Sequence, residues 1–255
     1  MKNWMKAAVA AMMVCSLAVA ADDARPVSGT GIIDAPGKYV LQGDRRSSSA
    51  GRAAIEITAN DVMLDLSGAT IAGPGGKNGI GVRIMGASGV RVSNGTLSNL
   101  AFGVVVMNSR NVVLSDLQIR GEGLPIVALP PETGIMIVQS RNVVVRDNAI
   151  YNTGLGVFVR GGMSSGNRIA DNTITSGTNG ALGICYNPAD DDPMGPRGDL
   201  VTGNLISGFG IGIQFKEVAR ANVARGNTVF YRGSMALDVQ NSTNMDVDNT
   251  KVMLP

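Results

Sequence analysis

The chain contains no histidine among its 255 residues. Without an imidazole, Ser-His-Asp and Cys-His nucleophilic catalysis are excluded. Histidine is also the usual nitrogen ligand of zinc and Cu(II), so most sites of those two kinds are excluded as well. Whatever chemistry this chain performs must rely on carboxylates, amides, lysine or arginine.

Cysteine and tryptophan are almost absent. The two cysteines are Cys15 and Cys185, and the one tryptophan is Trp4. We expect Cys15 and Trp4 to be removed with an N-terminal leader, so the mature chain can form no internal disulfide bond. Aromatic residues make up only 4% of the sequence, which argues against a platform that stacks sugar rings. Cys185 has no imidazole partner, and we predict an inert thiol there.

Long apolar runs are missing after the N-terminus, so we predict no membrane span, which needs about 18 or more apolar residues. The N-terminus itself has the features of a secretion signal. Lys2 and Lys6 supply a basic start, an apolar run follows over 7–19, and residues 18–20 form a small-x-small cleavage site. We therefore predict a signal peptide over residues 1–20, cleavage near Ala20, and a secreted or periplasmic protein.

A strong excess of charge of either sign is also missing. The chain has 22 basic and 20 acidic residues, and Lys2 and Lys6 of the leader account for the difference. A neutral mature chain gives no reason to expect nucleic acid or an anionic membrane as a partner.

The sequence instead contains a repeat. Five asparagines recur at intervals of 22 to 32 residues, each near a short apolar run: Asn148, Asn172, Asn204, Asn227 and Asn249. A unit of this length cannot bury its apolar face alone, so the repeat predicts stacked turns of one coil. Stacked asparagines can bond amide to amide and tolerate a left-handed backbone, which gives this column a structural role. In the earlier turns Ala69, Gly95 and Leu117 occupy the matching places.

Each unit opens with a glycine followed by alternating apolar residues. Examples are Gly103-Val104-Val105-Val106, Gly134-Ile135-Met136-Ile137 and Gly156-Val157-Phe158-Val159. Alternation with a period of two is the signature of a strand with one buried face, and β-branched residues favour strands. Glycines are expected at the sharp corners of the coil. These patterns predict an all-β fold, a single-stranded parallel β-helix of about eight turns over 53–255, with an N-terminal cap and connection over 21–52.

The phrases Asp34-Ala35-Pro36-Gly37-Lys38-Tyr39-Val40-Leu41 and Val62-Met63-Leu64-Asp65-Leu66-Ser67-Gly68 resemble the opening of secreted right-handed parallel β-helix proteins. This pectin lyase-like superfamily includes pectate lyases, polygalacturonases, alginate-modifying enzymes and NosD-type periplasmic proteins. The resemblance covers nearly the whole mature chain and implies a right-handed coil. It also implies that long loops beside the first strand of each turn wall a substrate groove. The polygalacturonase pattern uses a histidine that this chain lacks, which makes a hydrolase a poor prediction.

Two turns are longer than their neighbours. One insertion, Gly121 to Thr133, contains Pro125, Pro130 and Pro131, and the other, Pro188 to Asp199, contains Asp190-Asp191-Asp192. Long insertions on a rigid scaffold are where function concentrates. The alternation predicts two outward columns between them. One column is Arg83, Val105, Met136, Phe158, Cys185, Gln214 and Asp238, and the other is Met85, Met107, Val138, Arg160, Asn187, Lys216 and Gln240.

Adjacent turns stack at about 4.8 Å, so Arg160, Asn187 and Lys216 should line up, with the two cations about 10 Å apart. A β-eliminating polysaccharide lyase needs a base beside a carboxylate and a cation that neutralises it. Lys216 is the candidate base and Arg160 the candidate carboxylate ligand, with Asn187, Gln214, Phe158 and Asp238 as further substrate contacts. The alternative interpretation, which is the more common case, is that an exposed Arg and Lys keep the sheet soluble and have no catalytic role.

Two metal interpretations accompany this site. Asp190, Asp191 and Asp192, with Asn187, offer oxygen ligands for calcium, although three aspartates in such a loop are more often a solvated turn. Met85 and Met107 stack in one column, and thioethers suit Cu(I), although methionine on a sheet is more often packing.

Three hypotheses therefore remain from the sequence. The first is an extracytoplasmic protein that binds or processes an acidic polysaccharide around Arg160, Asn187 and Lys216. The second is a non-catalytic β-helix that presents a surface to another protein or to the cell envelope. The third is a NosD-type accessory protein for metal-site maturation. The sequence fixes neither the glycan nor the oligomeric state.

Overall fold

A computed structural model describes residues 24–29, 31–48, 51–76, 78–123, 132–189 and 192–254. The described residues form strands joined by turns, and no helix occurs among them. The strands are β1 Arg25–Pro26, β2 Ile32–Ile33, β3 Gly37–Val40, β4 Arg45–Arg46, β5 Ala53–Ile57, β6 Val62–Asp65, β7 Thr70–Ala72, β8 Ile80–Met85, β9 Arg91–Ser98, β10 Phe102–Met107, β11 Arg110–Arg120, β12 Thr133–Val138, β13 Arg141–Arg146, β14 Ala149–Tyr151, β15 Leu155–Arg160, β16 Arg168–Ala170, β17 Thr173–Asn187, β18 Leu200–Thr202, β19 Leu205–Phe215, β20 Val223–Arg225, β21 Thr228–Val239, β22 Met245–Val247 and β23 Thr250–Met253.

Every pairing between these strands is parallel, and each strand pairs with the strand one turn later. The first sheet runs through β5, β8, β10, β12, β15 and the ends of β17, β19 and β21. The second sheet contains β6, β13, β16, β18, β20 and β22, and the third contains β7, β14 and β23. Long strands such as β11 bend from the second sheet into the third. The predicted all-β parallel coil of about eight turns is confirmed.

The predicted alternation places every second side chain in a continuous interior. In β12, Ile135 and Ile137 are fully buried, and Met136 between them is on the outer face. The same pattern in each turn stacks β-branched side chains on their own kind along the axis: Val82, Val104, Ile135, Val157, Ile184 and Ile213. Burial of these apolar faces against the neighbouring turns is the main favourable term in the fold.

The glycine that opens each turn is required by close packing between turns. A methyl group at Gly134 would lie 2.6 Å from the carbonyl oxygen of Gly156 and 2.7 Å from Cγ2 of Ile150. The same clash recurs at Gly103 and Gly156, in each case with the carbonyl of the next glycine in the column. These glycines therefore sit within the first sheet, and sterics explain them better than the sharp corners that the sequence suggested.

The asparagine column forms the predicted ladder. Asn172 donates its amide to Oδ1 of Asn204 at 2.9 Å, and its own Oδ1 accepts from the side chain of Asn148 at 2.9 Å. Asn204, Asn227 and Asn249 continue the series with bonds of 2.9 and 2.8 Å. Because these amides are buried, their bonds to each other and to backbone carbonyls satisfy groups that would otherwise be costly.

The left-handed backbone predicted for the ladder asparagines belongs instead to the residue before each of them. Asp147 has φ +56° and Asp171 has φ +56°, ahead of Asn148 and Asn172, and Gly203 has φ +66° ahead of Asn204. The corner residue turns the chain, and the following asparagine points inward to the ladder.

The N-terminal segment supplies the first turn of the coil. β2 pairs with β5, β3 with β6 and β4 with β7, all in parallel. The stretch that we expected to act as a cap, from Ile32 to Leu41, therefore extends the same ladders within the described residues. In the described part of the chain no helix is long and apolar enough to cross a membrane, and the predicted signal peptide lies outside it.

Candidate functional site on the outer face of the first sheet

The structure brings together the residues predicted to form the site. Arg160, at the end of β15, is the register partner of Asn187, at the end of β17. Lys216 follows β19 directly, and its backbone N–H donates to the carbonyl of Tyr186, the neighbour of Asn187. The three residues therefore occupy consecutive turns at one edge of the first sheet. We call Arg160, Asn187, Lys216 and Asp238 the charged patch.

Contacts with Pro188 and Phe158 help to hold Arg160 in place. Its Nε donates to the carbonyl oxygen of Pro188 at 3.2 Å, and its guanidinium carbon lies 5.4 Å from the centre of the Phe158 ring. Phe158 is half-buried, lies two residues before Arg160 on β15 and belongs to the neighbouring outward column. A guanidinium fixed by an aromatic face and a carbonyl loses less conformational freedom on binding an anion than a fully mobile one.

Asp238 is held by two amides. Gln214 and Gln240 each donate to its Oδ2 at 2.8 Å. Gln214 is only 4% exposed, so its side chain positions Asp238 by a hydrogen bond. The sequence predicted a substrate contact for Gln214, and its burial contradicts that prediction. Asp238 itself remains half-buried, on the same outer column as Phe158.

Cys185 lies on the outer column, but its side chain is fully buried. Its Sγ lies 3.5 Å from Oδ1 of Asn187 and 3.5 Å from Oε1 of Gln214. Burial raises the pKa of this thiol to about 12, against the opposing effect of the nearby Lys216 and Arg160. A thiol that stays protonated at neutral pH is a poor nucleophile, which supports the prediction of an inert cysteine.

A surface cavity opens beside the patch. Its volume is about 350 Å³, and Asn187, Pro188, Lys216 and Gln240 contribute to its lining. Asn187, Gln240, Lys216 and Glu217 thus contribute to one concave region, whereas Arg160 and Asp238 lie outside its lining. The chemistry available there is recognition of a polar, anionic ligand, with a lysine amine as the candidate proton acceptor.

The loop after β17 packs against the coil through Asp192. Its Oδ2 accepts from Nε2 of Gln139 at 3.1 Å and from the backbone N–H of Gly162 at 2.9 Å, and its Oδ1 accepts from Met194 N–H at 3.0 Å. These bonds hold the pKa of Asp192 below its usual value.

The predicted calcium site is only partly described. Asp190 and Asp191 lie outside the described residues, and Asp192 uses both of its oxygens to anchor the loop. No group of three acidic, cysteine or histidine side chains suited to a metal occurs among the residues that the structure describes. The tip of the other insertion, 124–131, with Pro125, Pro130 and Pro131, also lies outside them.

The two methionines considered for copper are in register on adjacent turns, Met85 on β8 and Met107 on β10. Met85 is exposed, and Met107 is half-buried. Their stacking agrees with the predicted column, and a metal role remains a prediction.

Sequence reasoning missed a second ladder inside the coil. Asn167, Asp199, Asn222 and Asn244 bond to one another from turn to turn, with the Asn167 amide 3.0 Å from Oδ2 of Asp199. Burial raises the pKa of Asp199 to about 7. The ladder has the same period as the first one and was recognisable from that spacing, since each member follows a corner residue such as Gly166 or Gly198.

Comparison with known proteins agrees with this architecture. Residues 44–189, more than half of the chain, match the family model described as right handed beta helix region. None of the curated proteins matches the sequence.

Several solved structures share the fold. DFA-IIIase from Arthrobacter chlorophenolicus A6 in complex with DFA-III has a TM-score of 0.61 and 16% identity, over 87% of this chain and 57% of that chain. A polygalacturonase from Erwinia carotovora ssp. carotovora has a TM-score of 0.57 and 14% identity, over 89% of this chain and 86% of that one. The enzymatically active domain of tailspike protein 2 from bacteriophage CBA120 has a TM-score of 0.54 and 11% identity, over 91% and 39%.

At these identities the likeness concerns the fold. The chain spans little more than half of the DFA-IIIase, 57%, and 39% of the tailspike domain, so those proteins contain large parts that this chain does not match.

Proposed function

This chain belongs to the right handed beta helix family, and on that premise we propose that it binds an acidic polysaccharide along the outer face of its first sheet. The observation that carries the proposal is the alignment of Arg160, Asn187 and Lys216 on consecutive turns. A polymer lying along the coil axis would meet one of these side chains per turn.

The chemistry of the patch favours a carboxylated ligand. Arg160 offers a planar donor fork that matches a carboxylate, and Asn187 and Lys216 offer further donors beside it. The scarcity of aromatic residues, 4% of the sequence, is compatible with recognition by charge and hydrogen bonds and not by ring stacking. Two proteins with the same fold, the polygalacturonase and the DFA-IIIase in complex with DFA-III, are carbohydrate enzymes by name, which supports the substrate class.

Processing by β-elimination is the finer part of the proposal. The Lys216 amine would accept the proton on the carbon beside the carboxylate, while Arg160 stabilises the charge that develops on that carboxylate. The bond to the leaving glycosidic oxygen then breaks, a carbon–carbon double bond forms, and the leaving oxygen takes up a proton from the Lys216 ammonium group or from water. This step requires neither histidine nor a metal, and the chain has no histidine.

The test incubates the protein with polygalacturonate and with alginate, with and without calcium. New unsaturated ends absorb in the ultraviolet, and binding is measured in parallel by affinity electrophoresis. Arg160→Gln and Lys216→Ala should each weaken binding about tenfold, the value of one charge-assisted contact. Lys38→Ala, on β3 of the second sheet, is the matched control and should bind normally.

The outcomes separate the two levels of the proposal. Binding that depends on Arg160 and Lys216 without new absorbance leaves a binding protein and removes the lyase. Absence of binding to either polymer contradicts the function altogether and leaves a β-helix that presents its surface to a protein partner.

We propose that the protein acts outside the cytoplasm. The predicted signal peptide over residues 1–20 supports that location, and mass spectrometry of the exported protein should give Ala21 as the first residue. A cytoplasmic, uncleaved chain would contradict it. Copper retained after purification, and lost in a Met85→Leu/Met107→Leu variant, would favour the NosD-type function instead.

A further inference from the structure

Arginines occupy one corner column of the coil, where each turn passes from the first sheet to the second. Bridges connect Ser88 with Arg110, Arg141 with Ser165, Ser165 with Arg197, and Arg197 with Arg220, and Arg110 pairs with Arg141 where β11 meets β13. We call Arg110, Arg141, Arg197 and Arg220 the arginine column. From Arg110 to Arg220 it extends over five consecutive turns of the coil, with Ser165 in the place between Arg141 and Arg197, and Ser88 comes one turn before Arg110.

Repulsion between the like charges of the arginine column lowers the stability of the fold, so stability does not explain the column. All four arginines are exposed, and within the described residues none of them forms an ion pair. Register partners on adjacent turns are about 4.8 Å apart, and like charges in such positions destabilise a sheet. Asp192 acts on Arg197 electrostatically, but its carboxylate is engaged by Gln139 and by Gly162.

Both arginine pairs border surface cavities. A cavity of about 320 Å³ is lined by Arg110 and Arg141 together with Asn108, Gln139 and Met163. A second cavity, of about 170 Å³, is lined by Arg197 and Arg220 together with Pro193, Met194 and Val218. Asp192 accepts a hydrogen bond from Gln139, which lines the first cavity, and Pro193 and Met194, which follow Asp192, line the second. Each pair therefore borders a cavity of its own.

The column also continues the surface of the charged patch. Val218 lines both the cavity beside Arg220 and the cavity beside Lys216. Along the chain, Arg220 comes four residues after Lys216, and Ser165 comes five residues after Arg160. An extended ligand on the patch can therefore pass over the corner to the arginines without leaving the protein surface.

The composition of the column distinguishes between classes of polyanion. Single-stranded nucleic acid is usually bound by aromatic side chains that stack on bases, next to the cations. The four arginines of the column and the two serines in register with them, Ser88 and Ser165, include no aromatic residue. Serine hydroxyls and guanidinium groups can hydrogen-bond to the carboxylates and hydroxyls of a sugar. The length of one sugar residue in an extended chain is also similar to the rise between adjacent turns, about 4.8 Å.

We propose that the arginine column is an extended binding track for a carboxylated polysaccharide, continuous with the charged patch. The inference rests on the proposed function and adds to it a second site and a minimum length of ligand. A short oligosaccharide fills the patch, whereas a long chain also reaches Arg197, Arg220, Arg141 and Arg110. The affinity of the protein should therefore increase with the length of the uronate chain.

The experiment compares trigalacturonate with polygalacturonate by titration calorimetry. The variants are Arg110→Gln/Arg141→Gln, Arg197→Gln/Arg220→Gln, and all four substitutions together. The control is Arg120→Gln/Arg225→Gln, which removes the same charge as either pair from exposed arginines outside the column. Circular dichroism and thermal unfolding verify that each variant folds.

The wild type should bind the polymer, per chain, at least about tenfold more tightly than the trimer, and each pair of substitutions should reduce polymer affinity about tenfold. All four together should remove the advantage of the polymer and reduce the dependence of its binding on salt, while trimer affinity stays unchanged. The control should bind both ligands like the wild type.

The alternatives are distinguishable. Equal affinity for trimer and polymer, or a polymer advantage that survives all four substitutions, overturns the track and leaves the patch intact. Polymer binding that depends on the column, without trimer binding that depends on Arg160 and Lys216, overturns the proposed function at the patch alone. Column-dependent binding of single-stranded DNA with no polygalacturonate binding overturns both.

Discussion

At the scale of single residues, Asp199 is the unusual member of an otherwise neutral ladder. It is 1% exposed, and both of its oxygens accept from Asn167, at 2.8 Å from the backbone N–H and 3.0 Å from the side-chain amide. Elsewhere in this ladder the amide also donates to a backbone carbonyl, as Asn222 does to Pro196. The two bonds from Asn167 favour the carboxylate, whereas burial disfavours it more strongly, a balance that the neutral amides of the ladder do not have.

This difference predicts how stability changes with pH. The pKa of Asp199 rises from 3.8 to about 7 in the folded protein because of burial. The folded state therefore keeps a proton that the unfolded state has lost. The stabilisation is fully present below pH 3.8 and is lost as the pH rises through about 7.

We expect Asp199→Asn to remove this dependence. In the wild type the free energy of unfolding should fall by roughly 4 kcal/mol at most between the acidic and the basic plateau, which corresponds to the difference in pKa. The variant has an amide at this position, so relative to the wild type it should gain most at pH 8, less at pH 5 and least below pH 3.8. Guanidinium unfolding at a series of pH values measures the effect. Asp171→Asn, an exposed change of the same charge, is the control, and parallel curves for wild type and Asp199→Asn would refute the assignment.

At the scale of the structural element, the first-sheet strand depends on the glycine at its start. Gly134 has an ordinary backbone conformation, so only the contacts of a new methyl group decide the effect of a substitution. That methyl group would lie 2.6 Å from a backbone carbonyl oxygen and 2.7 Å from Ile150. Neither neighbour can move without displacing a whole turn.

Gly134→Ala should therefore destabilise the protein by about 1–3 kcal/mol, as overpacking of a core does. Gly29→Ala is a suitable control, because nothing lies within 4 Å of the new methyl group there. Chemical unfolding monitored by far-ultraviolet circular dichroism compares the two variants. Equal stability of Gly134→Ala and the wild type would mean that the turns are spaced more loosely than the structure indicates.

The elements also indicate how much the sequence could predict. The period-two pattern predicted which residues share a column, and the register of Phe158, Cys185 and Gln214 agrees with it. The pattern could not predict how deeply a column is covered, because burial depends on side chains from other turns. Cys185 and Gln214 are therefore buried although they lie on the outer face.

The candidate site was predictable to a similar extent. The line of Arg160, Asn187 and Lys216 follows from aligning the repeats and reading the alternation within each one. The support of Asp238 by two glutamines and the contact of Arg160 with Phe158 depend on side-chain conformations that spacing does not specify. The role of Asp192 as a loop anchor likewise depends on contacts with a distant residue, Gln139.

At the scale of the whole molecule, the coil places side chains at a regular spacing along its axis. Each turn contributes one residue to each column, so a row of side chains repeats at about 4.8 Å along the axis. Parallel ladders, the asparagine column and stacked β-branched residues keep that spacing uniform. A rigid periodic face is suited to a periodic ligand, and two such rows are the arginine column and the line of Arg160, Asn187 and Lys216.

The most direct test is a crystal structure of the protein with a bound oligogalacturonate. We predict density for sugar residues that runs parallel to the coil axis on the outer face of the first sheet, with one carboxylate within hydrogen-bond distance of the Arg160 guanidinium and another sugar beside Lys216. Sugar bound to the second or third sheet away from these residues, or crossing the coil at right angles to its axis, would contradict this.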